Sequence, residues 1–464
     1  MLEAITLDGA RTTLGTAEIA TLRAGLRGRL LLCGDEGYEG ARRVWNGNVD
    51  RRPALIARCV DAADVQQAVS FAKRQGGLLV SVRGGGHSAP GYGTNDGGLV
   101  IDLSSMKAIS VDPGKRTARA EGGVLWRELD SQTQAHGLAT TGGTVSNTGI
   151  GGLTLGGGMG WLMGKHGLTI DNLLSVDVVT ADGQLRKASA TENPDLFWAL
   201  RGGGGNFGVV TAFEYRLHPV TQVLGGMVIY PLDQATEVLR FYRDFCPTLP
   251  DEAEANAALL TSPEGMCVAA LLLGYNGPIE EGEKILEPAR RFGKPVADLV
   301  APMPYGARQL MLDAPNAEHG LHRYWRSAFT EHISDALIET LVAGAAKFSS
   351  PLSALIFFYM HGAGTRVLAS ETAFAARRPQ WDFDAIGQWT EGSESAAHIA
   401  WLRDLWSRAE PHLQGSAYIN HIAADDQPEK VRASFGDNYR RLRELKAVFD
   451  PNNLFRVNAN IPPA

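Results

Sequence analysis

The chain is 464 residues long, with 44% hydrophobic residues, 20% charged residues and a formal net charge of −7. That length exceeds what one hydrophobic core organises and fits two or three globular domains. The acidic balance argues against nucleic acid or an anionic membrane as the main partner, and no run approaches the roughly 18 apolar residues that span a bilayer.

The first stretch, MLEAITLDGARTTLG, has neither the basic n-region nor the apolar h-region of a secretory signal. Cys33, Cys59, Cys246 and Cys267 are scattered and form no CxxC pair. This suits a reducing cytoplasm, the expected location, and suggests neither a disulfide framework nor a zinc site. In DVQQAVSFAKRQGG, residues 64–77, Val65, Ala68, Val69 and Ala72 fall at i, i+3, i+4 and i+7. The spacing predicts an amphipathic helix stopped by Gly76 and Gly77. LLVSV, residues 78–82, then reads as a short buried strand, and GLVIDL, 98–103, as a second.

KAISVDPGKRTARAEGG, 107–123, reads as a hairpin turning at Asp112-Pro113-Gly114, and VLWRELDSQTQAHG as a helix ending at Gly137. A further hairpin, 173–189, turns at Asp182-Gly183. A helix in NPDLFWALRGGG and an alternating strand in FGVVTAFEYRLHP follow. Trp126 and Trp198 sit among leucines in these helices and read as core. Beyond about Thr221 the glycine clusters thin out and longer elements begin, such as LIFFYMHG and HISDALIETLVAGAAKF. Three parts are expected: 1–221, 222–410 and a C-terminal return, 411–464, whose Phe455 and Ile461 imply packing against the body.

Glycine is the compositional outlier, at 54 residues crowded between Gly84 and Gly208. Three clusters stand out: VRGGGHS at 82–88, GIGGLTLGGGMG at 149–160 and RGGGGNFG at 201–208. The last contains a literal GxGxxG, but a helix precedes it and a strand follows, the reverse of the dinucleotide fingerprint. A Rossmann site is therefore rejected. Clustered amides without a Cβ shield still suit a pyrophosphate, and VRGGGHS adds one histidine, His87.

These segments, from Arg83-Gly84-Gly85-Gly86-His87-Ser88 through DLFWALRGGGGNFGVVTAFEYRLHPV to the tail YIN…FGDNYRRLRELKAVFDPNNLF…NIPP, resemble the berberine-bridge-enzyme-like oxidases of the vanillyl-alcohol-oxidase superfamily. The resemblance runs in matching order from about Trp45 to Pro462. It implies an α+β fold: a two-part FAD-binding domain of the PCMH type, with a substrate domain whose antiparallel sheet is covered by helices. It implies FAD as cofactor, joined through the 8α-methyl to His87. Valine stands at 145, where bicovalent members carry a cysteine, so a single link is expected. By the same resemblance Arg83, Gly84, Gly85, Gly86, Ser88, Thr148, Gly149, Gly151, Gly152, Gly156, Gly157, Val209, Asn458 and Asn460 are expected around the flavin. Thr148 holds the position that influences oxygen access.

Tyr418 in Tyr418-Ile419-Asn420 matches a Tyr-x-Asn motif that supplies the base in the family's sugar and alcohol oxidases. On residue pattern alone it reads as a packing residue on a strand. A tyrosine base needs its phenolate stabilised by positive charge or donors. Tyr359 and His361, at i and i+2 of a strand, share a face and are further candidates for binding or polarising substrate. His136, His166 and His218 show no metal spacing, and no metal is assigned. The expected activity is oxidation of a sugar or secondary alcohol, with dioxygen reduced to peroxide. The alternatives are oxidation of a cyclic amine, as in 6-hydroxy-D-nicotine oxidase, and a flavin dehydrogenase using another acceptor.

Overall fold

The helix predicted at 64–77 forms over Ala62–Arg74 in the computed structural model, which describes residues 1–464 apart from the side chain at 315. Asp61 caps it by accepting from the Asp64 amide. Gly76 and Gly77, with φ of +76° and +78°, end it in the left-handed region. The stripe read from the sequence is buried: Val65, Ala68, Val69 and Ala72 are all fully enclosed. They pack on a four-stranded sheet in which Leu55–Arg58 and Val80–Arg83 both run parallel to Leu99–Asp102, with Arg29–Leu31 antiparallel at the edge.

The two predicted hairpins meet in a second, five-stranded sheet, antiparallel throughout. Its order is Leu185–Ser189, Leu173–Val179, Val209–Arg216, Thr117–Glu121 and Ile109–Asp112. Helices Trp126–Gln134 and Pro194–Leu200 supply its core with Trp126 and Trp198.

Between Gln222 and Trp389 the chain builds an eight-stranded antiparallel sheet. Helices Ala235–Phe245, Ile279–Arg290, Asp335–Ala345 and Ser395–Ala409 share a core with one of its faces. The period of two sorts each strand. Leu355, Phe357 and Tyr359 point to the helices, as do Trp381, Phe383 and Ala385 of the neighbouring strand. Phe358, Asp382 and their neighbours at i±2 point the other way, toward the glycine-rich half. The α+β class is as expected, and no helix among the described residues is long and apolar enough to cross a membrane.

The tail returns to the first half, with Phe455 2% exposed and Ile461 fully enclosed. Lys446 fastens it. Its buried Nζ donates to Asp450 (2.7 Å), to the Asn206 carbonyl (2.7 Å) and to the Phe455 carbonyl (3.0 Å), tying helix, tail and the third glycine loop together. Removing one member of a buried pair strands the other charge. Lys446→Met is therefore expected to destabilise the protein by about 3–5 kcal/mol, read from denaturant unfolding. Lys446→Met with Asp450→Leu should lose less.

One local expectation fails here. Tyr418 is not on a strand; it opens a tight turn, Ile419–His421, closed by the His421 amide donating to the Tyr418 carbonyl at 2.8 Å. A strand would have sent alternate residues to opposite faces. The turn gathers Tyr418, Asn420 and His421 at one place.

Candidate active site

The glycine clusters and the uncovered face of the large sheet enclose a cavity of about 320 Å³. Its floor is formed by 84–88, by Thr148, Gly149, Gly151 and Gly152, and by 204–206, and 457–459 of the tail add one wall. Asn256, Trp325, Phe358 and Asp382 of the sheet look into it. Two floor loops touch so closely that only glycine fits: a Cβ on Gly85 would lie 2.5 Å from the Gly149 nitrogen. Gly152 instead has open space where its side chain would be, so it leaves room for a ligand.

The residues present fit FAD. Bare backbone loops line the slot, and the side-chain oxygen of Asn458 is buried without a partner at the wall that the tail supplies. Of the residues named from the sequence, Gly84, Gly85, Gly86, His87, Ser88, Thr148, Gly149, Gly151, Gly152 and Asn458 line the cavity. Arg83, Val209 and Asn460 do not, and for the first two strand alternation is the reason. Val80, Val82, Gly208 and Val210 face the cavity, so Arg83 turns away to the Ala41 carbonyl and Val209 into the first core. Gly156 and Gly157 serve the roof rather than the slot. A Cβ on Gly156 would collide with the Asn420 amide at 2.1 Å, and one on Gly157 would press Phe374 at 2.8 Å.

His87 is held from two sides. Its ring stacks on Trp45 with centroids 4.2 Å apart, and Arg323 lies 3.7 Å from the Trp45 centroid. Its Nε2 lies 3.0 Å from Asn147 Oδ1. Burial pushes the imidazolium down to about 3, and the nearby Arg323 and His319 charges add to the effect. The ring is therefore neutral at physiological pH, the form in which a ring nitrogen is nucleophilic.

Tyr418 Oη accepts three hydrogen bonds: from the Gly158 amide at 2.8 Å, the Met159 amide at 3.3 Å and Asn420 Nδ2 at 2.8 Å. Burial pushes the phenol up to about 12, while those donors pull it back and the Asp382 charge opposes them. Three donors converging on one oxygen favour phenolate over phenol. These are the stabilising groups that the sequence did not reveal.

Beside Tyr418 stands a second cluster that sequence reasoning missed. His421 Nδ1 lies 3.0 Å from Asp382 Oδ2 and 3.1 Å from Asp384 Oδ1. Ser327 donates to Asp382 and the Trp325 indole to Asp384. Burial pulls the imidazolium down, but the two carboxylates outweigh it and hold His421 at about 10. Burial and the neighbouring Asp384 push Asp382 up to about 6. The available signal was WDFDAIG, whose two aspartates at i and i+2 must share a strand face.

Tyr359 and His361 do share a face, with rings stacked at 5.0 Å, and border the far end of the cavity. Both have other commitments. Tyr359 packs against Trp381 in the core beneath the helices, and His361 Nε2 bonds the Ala253 carbonyl at 3.0 Å. On this strand Phe358 is the residue directed at the flavin side.

Residues 53–189 match the family model described as an FAD binding domain, and 417–462 match the one described as berberine and berberine like. An FAD-linked oxidoreductase of Dictyostelium discoideum is 32% identical over 433 residues, 93% of each chain. The crystal structure of 6-hydroxy-D-nicotine oxidase from Arthrobacter nicotinovorans superimposes with a TM-score of 0.86 at 29% identity, covering 97% of this chain and all of that one. Glucooligosaccharide oxidase from Acremonium strictum, with its 6-S-cysteinyl, 8α-N1-histidyl FAD, gives 0.86 at 26% identity, again over 97% of this chain and all of that one.

Proposed function

The chain belongs to the berberine-bridge-enzyme-like FAD-linked oxidases, and from that premise we propose that it oxidises a hydroxyl-bearing small molecule, a sugar or secondary alcohol, with its flavin attached through His87 alone. The observation that carries the substrate class is Tyr418, a phenol in the cavity whose oxygen receives three donors. FAD held in the slot would supply the two-electron chemistry, as acceptor for a hydride from the substrate carbon with dioxygen as the final oxidant.

The chain's own part is positioning and proton handling. Tyr418 receives the hydroxyl proton as the carbon loses its hydride, and the two backbone amides with Asn420 hold the oxygen that receives it. Phe358 and Trp325 give the substrate an apolar wall, and Asn256 offers its amide nitrogen, since its Oδ1 already accepts from the Tyr359 amide at 3.0 Å. His421, held by Asp382 and Asp384, keeps a positive charge beside the phenol; its ring centroid is 4.8 Å from that of Tyr418. On this reading 1–221 and 411–464 form the FAD-binding part, and 222–410 the substrate-binding part.

One observation favours amine oxidation as a second reading. Two aspartates face one imidazolium, and Asp384 Oδ2 has no partner, so the cluster keeps a net negative charge that suits a cationic substrate. A single experiment separates the two. Anaerobic bleaching of the flavin is followed against alcohols, sugars and cyclic amines, with peroxide measured on readmitting air. Bleaching by hydroxyl compounds alone supports the first reading, and by amines alone the second. Reduced flavin that persists in air would point to an acceptor other than oxygen.

A further inference from the structure

Resting on the reading that His87 carries the flavin, we propose that Asn147 is a positioning residue for flavin attachment: it fixes the proton of the His87 ring on Nε2 and so leaves Nδ1 as the nitrogen that bonds the cofactor.

The amide of Asn147 can face His87 in only one way. Its Nδ2 donates to the Ala317 carbonyl, so Oδ1 is the atom presented to His87 Nε2 at 3.0 Å. A carbonyl oxygen only accepts, and Nε2 must therefore carry the proton. In a neutral ring the other nitrogen then holds the free lone pair. The segment contributing Ala317 also fixes the loop, because Asp313 accepts from both the Ser146 amide (2.8 Å) and the Ser146 hydroxyl (2.6 Å). The stack on Trp45 restrains the ring plane. Without the Asn147 acceptor the proton is free to sit on either nitrogen, and with the proton on Nδ1 that nitrogen has no lone pair left to bond the cofactor.

The chemistry balances. The Nδ1–carbon bond forms as the flavin 8α-methyl loses one hydrogen as a proton, and the electron pair of that C–H bond stays in the flavin ring. Dioxygen takes that pair with two protons, the methyl proton and the Nε2 proton that the alkylated ring gives up, and leaves as hydrogen peroxide.

The test follows covalent incorporation rather than turnover. Full-length apoprotein made under riboflavin limitation is mixed with FAD in air at pH 8, and flavin fluorescence is read from a denaturing gel over time. Asn147→Leu should incorporate flavin roughly tenfold more slowly than the wild type, the size expected for loss of one orienting hydrogen bond. Asn147→Asp, which still accepts from Nε2, should restore incorporation to near the wild-type rate. Non-covalent FAD affinity, measured in the His87→Ala background with and without Asn147→Leu, should be unchanged. Asn147→Leu incorporating at the wild-type rate, Asn147→Asp incorporating as slowly as Asn147→Leu, or a wild-type flavin peptide linked through Nε2 would each overturn the proposal. Wild-type protein with no covalent flavin at all would instead remove the reading on which it rests.

Discussion

Replacing Tyr418 by phenylalanine is expected to slow anaerobic flavin reduction by substrate about 100-fold or more, the usual contribution of a positioned general base. The substitution removes one oxygen and leaves the ring, which packs against Phe374 with centroids 6.2 Å apart. The Gly158 and Met159 amides and Asn420 would lose their acceptor, so a loss of about 1–3 kcal/mol in stability should accompany the slower reduction. Stopped-flow bleaching separates the two effects, because weakened packing alone would not change the pH dependence.

That dependence has a defined sign. Burial holds the phenol at about 12 in the free cavity, so near neutrality only the phenolate fraction can act. If Tyr418 is the base, reduction should quicken as pH rises, approaching tenfold per unit well below the phenol's pKa in the loaded enzyme. Asp382 is one of the charges keeping the phenol high. Asp382→Asn should therefore shift the profile toward lower pH, while His421 keeps Asp384 as a partner. A flat profile in the wild type, or an unchanged reduction rate in Tyr418→Phe, takes the base role away from this residue.

The legible parts of this protein are those in which side-chain period and backbone geometry act locally. Val65, Ala68, Val69 and Ala72 announce a helix face because packing requires that spacing, and Gly76 and Gly77 end it because only glycine accepts their φ cheaply. Gly85 and Gly149 read as a cradle because their crowding has no packing purpose, and the structure brings the two within contact across 64 positions. Arg83 and Val209 lie off the slot by a rule the sequence does contain: the strand period sends every second residue away from it. The Asp382–Asp384–His421 cluster lies beyond local rules. It joins a strand to a turn 37 residues later, counting from Asp384 to His421, and only tertiary folding sets that distance. The three donors on Tyr418 are mostly backbone amides, which carry no sequence signature.

Replacing His87 by alanine is expected to abolish flavin that survives acid precipitation. The wild-type pellet should stay yellow, and its His87-containing peptide should carry the added mass. The variant should still bind FAD, because the slot is lined by glycine-rich backbone and by Asn458 of the tail, which the substitution does not touch. Its flavin should accordingly appear in the acid supernatant. A structural cost accompanies the change: Asn147 Oδ1 loses its donor and Trp45 loses its stacking neighbour, together worth about 1–3 kcal/mol. These outcomes separate two claims that a simple activity assay would merge. Wild-type flavin found wholly in the supernatant would refute the bond to His87 and leave the cradle standing. A variant that retained acid-stable flavin would place the link on another residue. A wild type that bound no flavin would undermine the cradle itself, because the loops at Gly85 and Gly149 and the unpartnered side-chain oxygen of Asn458 would then lack the ligand that explains them.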